Sequence, residues 1–253
     1  MTNSKGYQIV PMGIPRQMVA ATSTVNRESN TIHAILEVDV DTPRQMMREH
    51  REKAGDSCSF TSYVVTCLSR VVAEFPEMNS FCKGSKLVLL DDVTISVLVE
   101  RGGEDQGGKF PEPYSVVAAQ KKSFTEIQQE IRAAQQATDQ RMGGLSGATW
   151  FRFIPRPLLR SFIRLASRHL GLAKKYGKVA VTAVGMFGAG SIWFVPLSSA
   201  TVAVTVGSIH PKLVLEEGKP VEREHLCLTL SFNHDIVDGA PAARFAKRLS
   251  EIL

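Results

Sequence analysis

Four β-rich runs crowd the last third of the chain: KVAVTAV, SATVAVTVGSI, KLVLEE and HLCLTLSF. So much strand in so short a stretch demands a sheet, and the spacing of the runs limits what kind. KLVLEE and HLCLTLSF are separated only by GKPVERE, a turn-bearing connection that suits an antiparallel hairpin. HLCLTLSF is almost wholly apolar or β-branched, the pattern of a central strand covered on both faces.

Elsewhere strands and helical patterns alternate. NTIHAILEVDV, residues 30–40, reads as a strand ended by Asp41. Thr42 and Pro43 then offer an N-cap and a first-turn proline for a helix through TPRQMMREHREKAG. From Ser59 the positions Phe60, Tyr63, Val64, Cys67, Leu68, Val71, Val72 and Phe75 form one apolar helical face, closed by Pro76. KLVLLDDVTISVLVE supplies one or two strands meeting near Asp91 and Asp92. Ser123 and Glu126 stand at capping-box spacing before a further helix, and APAARFAKRLSEIL forms a last one. Hairpins between some strands and helices between others predict an α+β, mixed-sheet sandwich with helices packed on the sheet, in a single domain over residues 1–253. A doubly wound parallel sheet does not fit, and neither GxGxxG nor GxxxxGK[ST] is present.

The 253 residues are 43% hydrophobic and 22% charged, enough for a buried core under a polar surface. No run approaches the roughly 18 apolar residues of a spanning helix, and the first residues lack the pattern of a secretory signal. Cytoplasm is the expected compartment. Cys58, Cys67, Cys82 and Cys227 are scattered without CxxC pairing, so free thiols are expected and no metal. The net charge of +5 suits an anionic small molecule, such as a nucleotide-bearing cofactor, or an acidic partner. Nucleic acid is not expected, since no basic stretch is interleaved with aromatics.

The strand HLCLTLSF stops at Asn233, and His234, Asp235, Asp238 and Gly239 follow within six residues. A strand end is a rigid perch for a reactive group. A neutral imidazole there takes a proton from a thiol or hydroxyl near neutral pH, while Gly239 lets the chain turn into the last helix. Taken alone, a histidine beside acids at a turn is also ordinary loop chemistry.

Longer stretches carry a more specific resemblance. HDIVDG, residues 234–239, resembles the HxxxDG signature of the dihydrolipoyl acyltransferases, which form the cores of 2-oxoacid dehydrogenase complexes and are similar to chloramphenicol acetyltransferase. In order along the chain, VPMGIPRQMVAATS, SNTIHAILEVDVD, SFTSYVVTCLSRVVAEFPEMNS, KKSFTEIQQEIRAA and VAVTAVGMFGAG are similar to successive segments of that catalytic domain. The resemblance misses residues from about 140 to 177.

It implies transfer of an acyl group between coenzyme A and a dihydrolipoyl-type thiol, or another small acceptor. His234 would be the general base, and the hydroxyl of Thr182, where the family carries serine, would stabilise the oxyanion. Asp238 would be a structural carboxylate paired with Arg16, with Gly239 and Asn233 as structural residues at the site. A homotrimer is implied, with His234 of one subunit and Thr182 of the next meeting at the interface. Coenzyme A enters as a substrate.

The chain departs from the family in three ways. Asn233 and Asp235 replace the usual Asp and Arg around the histidine, and Asp235 would favour the protonated imidazole. No lipoyl domain or lipoylation segment is seen, so a lipoyl group would come from a separate protein, and a missing apolar tail favours a free trimer over a giant core. Finally, a basic insertion at about 148–177 carries Arg152, Arg156, Arg160, Arg164 and Arg168 every four residues, on one helical stripe starting near Pro157. It could meet an anionic membrane surface or acidic partner, add charge near coenzyme A phosphates, or simply form a solvated basic face over an apolar core contact. A membrane surface is not the expected partner. The reading from a different class is a non-catalytic scaffold that keeps the fold.

Overall fold

A computed structural model describes residues 6–7, 9–10, 12–101, 110–136, 156–167, 169–185 and 190–253. Eight strands and seven α-helices are formed among the described residues. The helices are α1 (Ile14–Asn26), α2 (Asp41–Ala54), α3 (Phe60–Glu74), α4 (Phe124–Gln136), α5 (Arg156–Ser167), α6 (Leu170–Tyr176) and α7 (Gly239–Ile252). The strands are β1 (Thr31–Asp39), β2 (Ser80–Lys83), β3 (Lys86–Leu89), β4 (Ile95–Arg101), β5 (Phe110–Val116), β6 (Val179–Ala183), β7 (Val202–Glu216) and β8 (Lys219–Asn233). Six strands make one mixed sheet in the order β1-β8-β7-β6-β4-β5, and β2 and β3 form a separate hairpin. β7 and β6, and β6 and β4, run parallel; the other neighbours are antiparallel. This is the α+β mixed sheet expected from the sequence.

Alternation along β8 explains the layering. Leu226, Leu228, Leu230 and Phe232 join Val202, Val204 and Val206 of β7 and Ile95, Val97 and Val99 of β4 in one core. α3 and α7 close that face with Leu68, Val71, Val72, Phe245 and Leu249. The Phe245 ring meets Phe232 and Phe75 edge-on, at centroid distances of 5.7 and 5.5 Å. Cys227, Thr229 and Ser231 of β8 point the other way and are buried too. β8 is therefore covered on both faces, as its composition predicts.

Local signals hold at most boundaries. Ser59 caps α3 through Oγ, which accepts the Ser62 N–H at 3.2 Å, and the helix ends just before Pro76. Ser123 and Glu126 make the reciprocal capping box: Glu126 Oε2 accepts the Ser123 N–H at 2.8 Å, and Ser123 Oγ accepts the Glu126 N–H at 3.3 Å.

Three boundaries differ from the sequence reading. SATVAVTVGSI and KLVLEE, read as separate runs, are one strand, β7, because pairing with β8 continues through His210 and Pro211. Thr42 lies inside α2, not at its cap, because Val40 is fully buried and the Asp39 carboxylate accepts the Asp41 N–H at 2.9 Å, starting the helix earlier. GKPVERE is not a connection. The reversal needs only Glu217 and Gly218, both at positive φ, and Lys219–Glu224 pair with β7 as strand. Cross-strand pairing overrides the polar composition there. Four elements went unread, among them the short β2 and α6. α1 holds Pro15 in its first turn and has no side-chain cap, and β5 contains two prolines that only an edge strand accommodates.

The end of β6 is fixed by backbone contact. The Val184 N–H bonds to Val206 O at 3.0 Å, opposite the irregularity between Val206 and Ile209 in β7. A Cβ on Gly185 would stand 1.6 Å from Gly207 O, so only glycine permits this approach. Met186–Ala189, the rest of that turn, lie outside the described residues.

Candidate active site

His234 begins where β8 ends, and the loop around it is tightly built. The Asn233 N–H bonds to Thr201 O, and Asn233 O accepts the N–H groups of Ile236 and Val237 at 3.1 and 3.0 Å. Asn233 Oδ1 also accepts the Asp235 N–H at 3.0 Å. Val237 is buried in the core and anchors the loop from below. The His234 N–H bonds to Asn30 O at 2.7 Å, tying the loop to the start of β1.

The decisive contact for the ring is between His234 Nδ1 and Val237 O, at 3.0 Å. A carbonyl oxygen only accepts, so Nδ1 carries the proton. In the neutral ring Nε2 is then the bare nitrogen, ready to take a proton. The side chain is 46% exposed, so Nε2 chemistry is accessible from solvent. The Asp238 carboxylate lies 3.8 Å from Nδ1 and is 86% exposed. It stands at the N-cap position of α7 without capping it.

The other expected residues are placed less simply. Among the described residues Asp238 makes no ion pair with Arg16, which is exposed on α1; the group in its range is His234. Asp235 does not lean on the imidazole either, since its carboxylate accepts the Asn30 Nδ2–H at 2.8 Å. Gly239 is the first residue of α7, has no positive φ, and a Cβ there would meet nothing within 4 Å. No tight turn requires this glycine within the chain, and the space a Cβ would take is open.

Thr182 sits in β6, half-buried, and its partner row runs Thr182, Thr205, Thr229 and Ile35 across four strands. The hydroxyls of Thr205 and Thr229 are buried without a hydrogen-bond partner. Five residues along β8 and two strands across separate Thr182 from His234, about 19 Å at normal strand dimensions. One chain does not bring them together.

Sequence reasoning missed the two groups that hold the histidine, Val237 O and the Asn30 clamp. Both are contacts of ordinary residues with no compositional signal. At the same end of the sheet a cleft of about 210 Å³ is lined by Thr22, Asn26, Ser96, Lys178 and Ser198, among others. Burial lowers the Lys178 ammonium below the usual lysine range, and its Nζ stands 5.1 Å from the Phe81 ring centre. A cleft of about 510 Å³ opens far from the histidine, between Asp39, Tyr63, Arg223 and Leu253. Among the described residues no group of three His, Cys, Asp or Glu side chains is placed to hold a metal ion, and no helix is long and apolar enough to cross a membrane.

The family model described as 2-oxoacid dehydrogenases acyltransferase (catalytic domain) matches residues 4–146 and 174–253. The chain belongs to this family. The unmatched residues 147–173 coincide with the basic insertion. Over 92% of its length the chain is 26% identical to the dihydrolipoyllysine-residue acetyltransferase component of the Bacillus subtilis pyruvate dehydrogenase complex. It is 23% identical over 90% of its length to a succinyltransferase component of the Staphylococcus epidermidis 2-oxoglutarate dehydrogenase complex. It spans about half the length of these relatives, 47% and 48%. Among solved structures, a probable dihydrolipoamide acetyltransferase from Listeria monocytogenes superposes with a TM-score of 0.71 at 19% identity, covering 98% of this chain and 94% of that one. A chloramphenicol acetyltransferase superposes at 0.53 and 15% identity, covering 97% and 99%. The acyltransferase family and a chloramphenicol acetyltransferase-like fold, both implied by the sequence, are thus established.

Proposed function

We propose that the chain transfers an acyl group between coenzyme A and a thiol of the dihydrolipoyl type, with His234 as general base. The observation that carries this reading is the Nδ1 contact to Val237 O, which fixes the tautomer and leaves Nε2 to act. Nε2 takes the proton of the attacking thiol. The thiolate sulfur adds to the thioester carbonyl carbon, and the π electrons move to oxygen. The oxyanion accepts a hydrogen bond from the Thr182 hydroxyl. On collapse the carbon–sulfur bond to coenzyme A breaks, the leaving thiolate recovers the proton from Nε2, and the acyl group stays on the acceptor sulfur. One well-placed donor to such an oxyanion contributes about 2.7–4 kcal/mol.

The 19 Å gap within one chain supports a site shared by two copies, His234 from one and Thr182 from its neighbour, in a homotrimer. Asp238, beside Nδ1, then positions the imidazolium that forms during transfer, and an Arg16 partner for it would come from the assembled trimer. The acceptor would be carried by a separate lipoyl-bearing protein or be a small molecule.

The test is acyl transfer from a panel of coenzyme A thioesters to free dihydrolipoamide, with His234→Ala beside the wild type. Turnover lost on the order of 10²–10⁴-fold in the variant supports the base role. Absence of turnover with every thioester and with small hydroxyl and amine acceptors would favour a scaffold that keeps the fold alone.

A further inference from the structure

The basic insertion is the part of the chain that the acyltransferase site leaves unused. Residues 147–178 hold eight of the chain's 30 Lys and Arg residues and none of its 25 Asp and Glu residues. The remainder, 30 less eight basic against 25 acidic, is net negative. The whole positive excess therefore belongs to this segment, most of which lies outside the family match.

α5 shows how the charge is displayed. Leu159 is buried and the helix packs on α1, while Arg164 Nε donates to Glu28 Oε2 at 3.0 Å and fastens the two ends. The apolar core contact that the sequence left open is present at Leu159, but it uses only part of the apolar side chains. Leu158, Phe162 and Leu165, at i, i+4 and i+7, form a second apolar stripe that is 62%, 55% and 73% exposed. Arg160 lies exposed on the polar side of the same helix, and the exposed Lys174 and Lys175 follow on α6.

We propose that this stripe docks on an anionic lipid surface, with α5 lying in the plane of the headgroups. An exposed stripe of Leu and Phe on a helix with a basic polar side is the form of interfacial helices, whose apolar side chains enter the acyl boundary while the cations meet lipid phosphates. A neutral apolar partner would leave the cations without a role. The expectation from sequence that a membrane is no partner changes because half of the apolar arc is uncovered.

Vesicle co-sedimentation of the full chain tests this directly. With about 30 mol% phosphatidylglycerol in phosphatidylcholine, binding at about 0.1 M salt should exceed that to pure phosphatidylcholine by at least about tenfold and fall at high salt. The exposed pair Phe162→Ser with Leu165→Ser should weaken it about tenfold. The equally exposed pair Leu213→Ser with Leu215→Ser, on the outer arm of β7, should leave it unchanged. Folding of each variant is checked by circular dichroism. No binding, equal binding to neutral vesicles, or binding kept by the Phe162 and Leu165 variant overturns the proposal. So does a drop in oligomer mass for that variant without vesicles, which assigns the stripe to a second copy.

Discussion

Replacing His234 by alanine in one preparation and Thr182 by valine in another yields two proteins that should each be nearly inactive. Loss of the base costs on the order of 10²–10⁴-fold. Loss of the oxyanion donor costs on the order of 10²–10³-fold. Because the two residues stand about 19 Å apart in one chain, at ordinary strand dimensions, a working site must draw them from different copies. If equal amounts of the variants are unfolded together and refolded, subunits assort at random. Each interface then has one chance in two of a normal histidine and one in two of a normal threonine, so about a quarter of the sites are complete. Acyl transfer to dihydrolipoamide should return to about a quarter of the refolded wild-type rate, against the percent level or less for either variant refolded alone. A mixture no more active than the mean of its two components, in a protein that forms oligomers, would refute the shared site and the role of Thr182 with it.

Gly239→Ala should leave the melting temperature unchanged or slightly higher, since a Cβ there meets nothing within 4 Å and alanine favours a helix. Activity should nevertheless fall by more than about tenfold if a substrate or neighbouring copy approaches that open side, the proximity that catalysis demands; full activity would show that nothing does. Phe245→Ala removes a fully buried ring that meets Phe75 and Phe232 edge-on, and should cost about 3–5 kcal/mol in denaturant unfolding. A loss below about 1 kcal/mol would contradict the packing described.

In acid, the Arg223 guanidinium holds the Asp41 carboxyl below its usual range, and Arg248 does the same for Glu74. The unfolded chain therefore takes up protons at about pH 4 that the folded chain still refuses, so the stability these pairs add is present above that pH and is lost as pH falls further. Melting temperatures taken from about pH 7 down to 3 should decline, and less steeply in Asp41→Asn; parallel curves for the two proteins would count against the Asp41 pair.

Local rules determined much of this molecule. Apolar periodicity from Phe60 to Phe75, the Ser59 cap, the Ser123–Glu126 box and the apolar run before Asn233 each act within a few residues, and each stands as read. His234 was legible for the same reason: a strand end, a loop and a resemblance are all written along the chain.

Tertiary structure decided what depends on partners far away in sequence. Val40, buried at the end of β1, moved the start of α2, and pairing with β7 turned the polar KPVERE into strand. Val237 O, fixed by its own buried side chain, chose the histidine tautomer. The register of three strands set Thr182 far from His234, which no spacing in the sequence could show. Packing of α5 on α1 likewise covered one apolar stripe of the insertion and left the other open, because a helix can turn only one side to its neighbour.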